Sequence, residues 1–311
     1  ALDDAETQTL VLTANGNAGL DVGDLTNAAA LESLTLTSAS NTDSIIGTIV
    51  TATGLKTLSL TVNGGTGTNS STIATGIIGG TTAAQLTTIN AQVNGVGSSM
   101  NLESLDSAST TAATSVTLAA NSSNSTLNLL TGQANNVIDL GTGTLAALSI
   151  TAAENATITV DASGSAGTIT SGAITAATIS LGNFSTLTDA GSNSNDDLTI
   201  TGAPTTATVS LGRGITNAAG DEINFSGNVG TLALSSTLNT EAIALDSSNV
   251  LSYGGNTLMD FAGIAVASYQ HTGTGALSWV GSAASGNQTI KSTATSTTAD
   301  TLTGGAGNDT L

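Results

Sequence analysis

The stretch Leu31-Glu32-Ser33-Leu34-Thr35-Leu36 returns as Leu55-Lys56-Thr57-Leu58-Ser59-Leu60. Both read apolar-x-x-apolar-x-apolar. The last three positions alternate with period two, as expected for a strand that buries one face. The leading Leu breaks that alternation, so the chain must turn a corner for it to reach the same interior. Further copies occur at Leu145/Leu148/Ile150 and Val229/Leu232/Leu234, with weaker ones at Leu86/Ile89/Ala91 and Leu102/Leu105. Asn follows the first apolar residue by ten positions in three copies (Asn41, Asn155, Asn239) and by eight in two (Asn63, Asn94). Asn tolerates a left-handed bend or bonds unpaired backbone through its amide.

The simplest account is one motif per coil of a solenoid, with the strand and the upstream Leu both feeding a narrow core. Alternating runs at Ala156–Val160, Thr178–Leu181 and Leu198–Ile200 add strands between the copies. The uneven spacing of the first apolar residue (31 to 55, then 55 to 86) implies coils of variable length. The usual exposed helix formers are scarce, since Lys and Arg together number 3 and Glu is rare. The expected fold is therefore all-β, an elongated parallel β-solenoid with irregular coils. Stacked β-sandwich domains would also use short alternating strands, but they normally keep a buried Trp or Tyr. Here no aromatic precedes Phe184.

Composition narrows function. Of 311 residues, 22 are acidic and 3 basic (Lys56, Arg213, Lys291), for a formal charge of −19. Three cations cannot neutralise a row of phosphates, which excludes nucleic acid as a partner. No run approaches the roughly 18 apolar residues of a membrane span. Six aromatics cannot supply the girdles of a membrane β-barrel, so no membrane insertion is expected. Disulfides and thiolate metal sites need Cys, and there is none. Hydrophobic residues at 39 % with few charges argue for a folded chain rather than a disordered one. The start at Ala1, without a basic and apolar leader, reads as an internal piece or a processed chain.

Three segments differ in composition. Residues 1–240 are the Thr/Ala/Gly-rich solenoid. Five of the six aromatics and the single His lie between 225 and 279. Residues 241–296 therefore read as aromatic-containing terminal coils or a capping subdomain. Residues 297–311 contain Asp300-Thr301-Leu302-Thr303-Gly304-Gly305-Ala306-Gly307-Asn308-Asp309-Thr310-Leu311. The last eight match G-G-x-G-x-D-x-U, and Asp300 and Leu302 keep the same nine-residue phase without its glycines. Gly permits the tight turn and bares its carbonyl, Asp supplies a hard anionic oxygen, and Ca²⁺ takes six to eight such ligands.

This tail resembles the calcium-binding repeat of RTX proteins. The Cys-free, Lys-poor, Ser/Thr/Ala/Gly/Asn-rich body is similar to RTX surface-layer proteins of Gram-negative bacteria. The resemblance implies that the solenoid runs into an RTX β-roll and that the chain leaves the cell by type I secretion. It also implies calcium-dependent folding outside, and assembly into a two-dimensional lattice of identical subunits on the cell surface. A cell-surface glycan, reached through a region outside this chain, is a further implied partner. Candidate Ca²⁺ ligands in the tail are Asp300, Gly304, Gly305, Gly307 and Asp309. Asp196 and Asp197, in the oxygen-rich Asn193-Ser194-Asn195-Asp196-Asp197, and Asp221 extend the set. Asp outnumbers Glu 16 to 6, and short carboxylates at Gly-containing turns suit Ca²⁺, although salt adaptation would explain the excess equally well.

Catalysis is not expected. A Ser-His-Asp site would need His271, and no G-x-S-x-G elbow occurs. A lone His without Cys does not make a zinc site. The carboxylate pairs Asp196/Asp197 and Asp221/Glu222 are adjacent, so on a strand they would face opposite ways. The expected function is a structural surface-layer subunit. An RTX adhesin or extracellular filament is the alternative, and a polysaccharide-cleaving β-helix the third reading.

Overall fold

The computed structural model describes residues 6–16, 19–25, 28–40, 44–46, 53–64, 72–75, 86–102, 105–106, 113–131, 136–139, 144–162, 167–170, 173–181, 185–189, 198–212, 214–217, 223–236, 243–245, 248–253, 256–261, 268–273, 277–280, 289–292, 301–303, 308 and 310. All regular structure among them is strand. The chain winds as a three-sided β-solenoid. In coil order the strands are β1 (Thr9–Gly16); β2 (Ser33–Ser40) and β3 (Ser44–Ile46); β4 (Thr57–Val62) and β5 (Thr72–Thr75); β6 (Thr88–Val93), β7 (Ser99–Leu102) and β8 (Leu105–Asp106). Next come β9 (Ala113–Ala120), β10 (Thr126–Thr131) and β11 (Asn136–Asp139); β12 (Thr144–Ala152), β13 (Thr157–Ala162) and β14 (Gly167–Thr170); β15 (Ala173–Leu181), β16 (Thr186–Asp189) and β17 (Leu198–Thr201); β18 (Pro204–Leu211), β19 (Thr216–Asn217) and β20 (Ile223–Phe225). The last coils hold β21 (Thr231–Ser236), β22 (Ile243–Leu245), β23 (Val250–Tyr253) and β24 (Asn256–Phe261); β25 (Ser268–Gly273) and β26 (Leu277–Val280); β27 (Thr289–Ser292) and β28 (Thr301–Thr303).

The described strands form sheets of 11, 7 and 10 strands. The first runs β1-β2-β4-β6-β9-β12-β15-β18-β21-β25-β27, one strand per coil and parallel throughout. Like residues stack in register. Leu34 lies between Leu10 and Leu58, and the row continues through Ile89, Val116 and Leu148. Inward residues of β4 and β6 are buried while outward ones are half-buried, as the period-two pattern requires. Each fully buried Leu or Ile stabilises by about 1.5–3 kcal/mol.

The out-of-phase leading Leu has a backbone cause. At four successive corners two consecutive N–H groups donate to one carbonyl of the preceding coil. Glu32 and Ser33 share Gln8 O, Lys56 and Thr57 share Glu32 O, Thr87 and Thr88 share Lys56 O, and Thr114 and Ser115 share Thr87 O. This bulge turns two residues outward in a row and returns the next to the core. It is why Leu31, Leu55 and Leu86 are buried three positions before Leu34, Leu58 and Ile89. In β12, β15 and β18 the same kink lies within the strand, with Leu145, Ile174 and Pro204 buried ahead of two outward residues. The copy at Leu102/Leu105 is different. Leu102 ends β7 in the second sheet and Leu105 starts β8 in the third, so that spacing spans a corner between other faces.

The corner from the first sheet to the second repeats one turn. Ser98 N donates to Gly95 O, Ser125 N to Ser122 O and Ala156 N to Ala153 O, each at 3.1 Å. The residue before the donor is left-handed in each coil: Gly97 (φ 68), Asn124 (φ 56) and Asn155 (φ 55). This is the turn position that Gly and Asn occupy at least cost. The donors Ser98, Ser125 and Ala156 are all small and buried.

The third sheet carries an irregularity at 243–261. β23 runs antiparallel between β22 and β24. β24 continues the parallel stack from β20, and β22 pairs with β26. The insertion stretches that coil to 37 residues between the register partners Leu232 and Tyr269. Phe225 and Phe261 stack at 5.1 Å with 14° between the rings, where earlier coils place Ile169 and Ile200. Tyr253 is buried, and its hydroxyl accepts from Gly214 N at 2.8 Å.

Candidate functional site

The tail joins the solenoid through β28. Ser278, Trp279 and Val280 of β26 are the register partners of Thr301, Leu302 and Thr303. Leu302 is half-buried against the core, and Thr301 and Thr303 are exposed. The apolar position of the nine-residue phase therefore faces inward. Asp300, Gly304, Gly305, Gly307 and Asp309 lie outside the described residues, as do Asp196, Asp197, Asp221 and Glu222.

Among the described residues no three His, Asp or Glu side chains gather closely enough to hold a metal ion. Asp21 accepts from Gly23 N at 3.1 Å, so this carboxylate closes its own turn. Two acids that sequence separates are neighbours in the third sheet, where Asp106 of β8 is the register partner of Asp139 of β11. Nothing in the sequence signals that pair, because the intervening coil length is not periodic. The single His, His271, occupies the register position of Leu234 in the first sheet, with Ser292 beyond it. Lys56 Nζ lies 3.2 Å from Glu32 Oε1, with both side chains about half exposed.

The most regular feature of the surface is polar and neutral. Outward positions of the first sheet stack Thr35, Ser59, Asn90, Thr117, Ser149 and Thr178 in one row. The second sheet stacks Thr72, Ser99, Thr126, Thr157, Thr186 and Thr216. Side chains bond between coils on the second sheet: Thr72 Oγ1 and Ser99 Oγ are 3.0 Å apart, and in a second row Asn128 Nδ2 donates to Asn101 Oδ1 at 2.7 Å. At the adjoining corner Asn94 Nδ2 donates to Asn63 Oδ1 and Asn121 Nδ2 to Asn94 Oδ1. The two Asn spacings in the sequence thus mark two devices. Asn155 takes the left-handed turn position, while Asn63 and Asn94 form the amide ladder. Asn41 and Asn239 lie outside the described residues.

Such rows can present a repeating array of hydroxyls and amides to a flat partner, but they hold no nucleophile–base pair. The chain matches no family model, no curated protein and no solved structure.

Proposed function

We propose that this chain is the solenoid part of a structural surface-layer subunit that assembles outside the cell into a calcium-dependent lattice. The observation that supports the reading most is the seating of Leu302. Leu302, the apolar residue of the nine-residue phase, pairs with Trp279 and packs against the core, as a repeat stacked on the solenoid would require. A β-solenoid in which every coil rests on the last is a stiff strut. Its neutral Ser/Thr/Asn faces let identical copies approach, and Ca²⁺ would join the carboxylates that remain. The chain has no enzymatic role in this reading.

Electron microscopy of protein treated with EGTA and then given back Ca²⁺ tests it. Two-dimensional arrays that dissolve on chelation are the expected result. Arrays that persist after full chelation would overturn calcium bridging. Fibres, or monomers at saturating Ca²⁺, would favour the RTX adhesin or filament.

A further inference from the structure

We propose that the outer face of the first sheet is a self-docking surface, on which a second copy of this chain packs face to face without Ca²⁺. The proposal rests on the reading of the chain as a self-assembling subunit and names one contact of that assembly.

Charge points to this face. Two copies at −19 each repel, and screening removes that repulsion only beyond about 8 Å at physiological salt. The acids are not spread evenly over the strands. β13 and β16 of the second sheet carry Asp161 and Asp189. The third sheet carries Asp106, Asp139 and Asp260. The eleven strands of the first sheet contain no Asp or Glu, and their one Lys or Arg is Lys291 in β27. Glu32 at the rim is matched by Lys56.

Shape agrees. From β1 to β21 the outward rows hold mostly small side chains, and the longer amides of Asn90 and Gln92 lie along the sheet rather than away from it. Gln92 Nε2 donates to Asn90 Oδ1 at 2.7 Å, and Asn90 Nδ2 reaches Ser59 Oγ at 3.4 Å. Val11, one of two large apolar side chains left exposed among the described residues, is on this face at 63 %. Rows of short side chains about 4.8 Å apart can interdigitate with an identical set, as in dry zippers of Ser, Thr, Asn and Gln. Rows of Ser and Thr also lose little rotamer freedom on contact. Eleven strands of about six residues cover roughly 50 by 20 Å, or about 1,000 Å² per copy. The pair would bury about 2,000 Å², at the upper end of the standard range for stable association. A two-fold axis closes it as a dimer, since each copy presents the same patch.

Sedimentation velocity in EGTA tests the interface on the whole chain. The wild type is expected to run as a dimer. Thr117→Glu/Thr178→Glu, which adds like charges at half-buried or exposed outward positions, is expected to weaken it at least about 100-fold. Thr126→Glu/Thr157→Glu makes the same change on the second sheet and should leave the dimer intact. Circular dichroism melts show that each variant is folded. A spin label on Ser149→Cys, in the sixth of the eleven strands, should find its partner within about 20 Å, because facing sheets lie about 10 Å apart. The chain has no other Cys to confuse the label. A monomeric wild type, equal dimerisation of wild type and Thr117→Glu/Thr178→Glu, or a dimer without the short label distance would each overturn the interface. Arrays formed with Ca²⁺ by such a protein would leave the surface-layer reading standing. A face-to-face dimer that never tiles with Ca²⁺ would do the opposite.

Discussion

The side-chain amide of Asn94 donates to Oδ1 of Asn63 at 3.2 Å, across 31 residues of sequence and a single rung of the solenoid. Asn94 also accepts from Asn121 at 2.9 Å, so it is the middle of a three-residue ladder. Asn94→Ala removes both bonds. Each is solvent-exposed, so the expected loss is about 1–2 kcal/mol in urea unfolding. Asn94→Asp should lose less, since its carboxylate cannot donate to Asn63 but still accepts from Asn121. A variant as stable as wild type would show the ladder to be ornamental.

The adjoining glycines separate steric from conformational cost. A Cβ on Gly95 would meet Gly64 Cα at 2.5 Å and Gly64 N at 2.6 Å, both backbone atoms that cannot swing aside. Gly95→Ala must push two coils apart and is expected to cost about 3 kcal/mol. Gly97 has φ +68 and open space around its Cβ position. Gly97→Ala should therefore cost only the left-handed strain, about 1–2 kcal/mol. Thermal melts of the two variants should rank them in that order.

Core position should outweigh residue type. Leu148 is 1 % exposed with a coil on either side, and Leu148→Ala is expected to cost about 2–5 kcal/mol. Leu10 lies in the same row but in β1, at the end of the first sheet, and is only half-buried. Leu10→Ala should cost less than half as much. Hydrogen exchange should show the same gradient, with β1 amides exchanging well before those of β9 and β12.

Salt should stabilise this protein. The Lys56–Glu32 pair is half exposed, and such pairs contribute little, so Lys56→Met is expected to shift stability by less than about 0.5 kcal/mol. The larger electrostatic effect is self-repulsion at −19, which added NaCl screens. The melting temperature should rise as NaCl increases in the presence of EGTA. A fall would mean that attractive surface pairs dominate.

The first sheet was legible in the sequence because burial on one side imposes period two, and the corner bulge imposes a fixed extra residue. Leu31, Leu34 and Leu36 carry both signals. The second and third sheets were much less so. Strands such as Thr72–Thr75 and Thr186–Asp189 are four residues long, too short for alternation to stand out in a Thr/Ala-rich chain. Leu102 and Leu105 imitate the first-sheet motif because two corners can produce one spacing. The antiparallel β23 had no local sign, since strand direction is decided by partners far along the chain. The candidate calcium residues illustrate a related limit. Asp196 and Asp221 lie outside the described residues, and no period in the sequence ties either carboxylate to a partner far along the chain. Leu302 does sit on a strand, and its phase could be read in advance.

Successive coils of the first sheet take from 21 residues, Ser268 to Thr289, to 37, Leu232 to Tyr269, and still pair in register. Length is absorbed between the strands of the first sheet, in the longest coil by the β22–β24 insertion, while the rungs of that sheet stay fixed. Doubling a loop costs only about 0.6 kcal/mol in closure entropy. A foreign peptide or small domain spliced into such a connection would ride on the rod without disturbing it. The architecture is therefore a display scaffold with an addressable attachment point about every 4.8 Å along its axis.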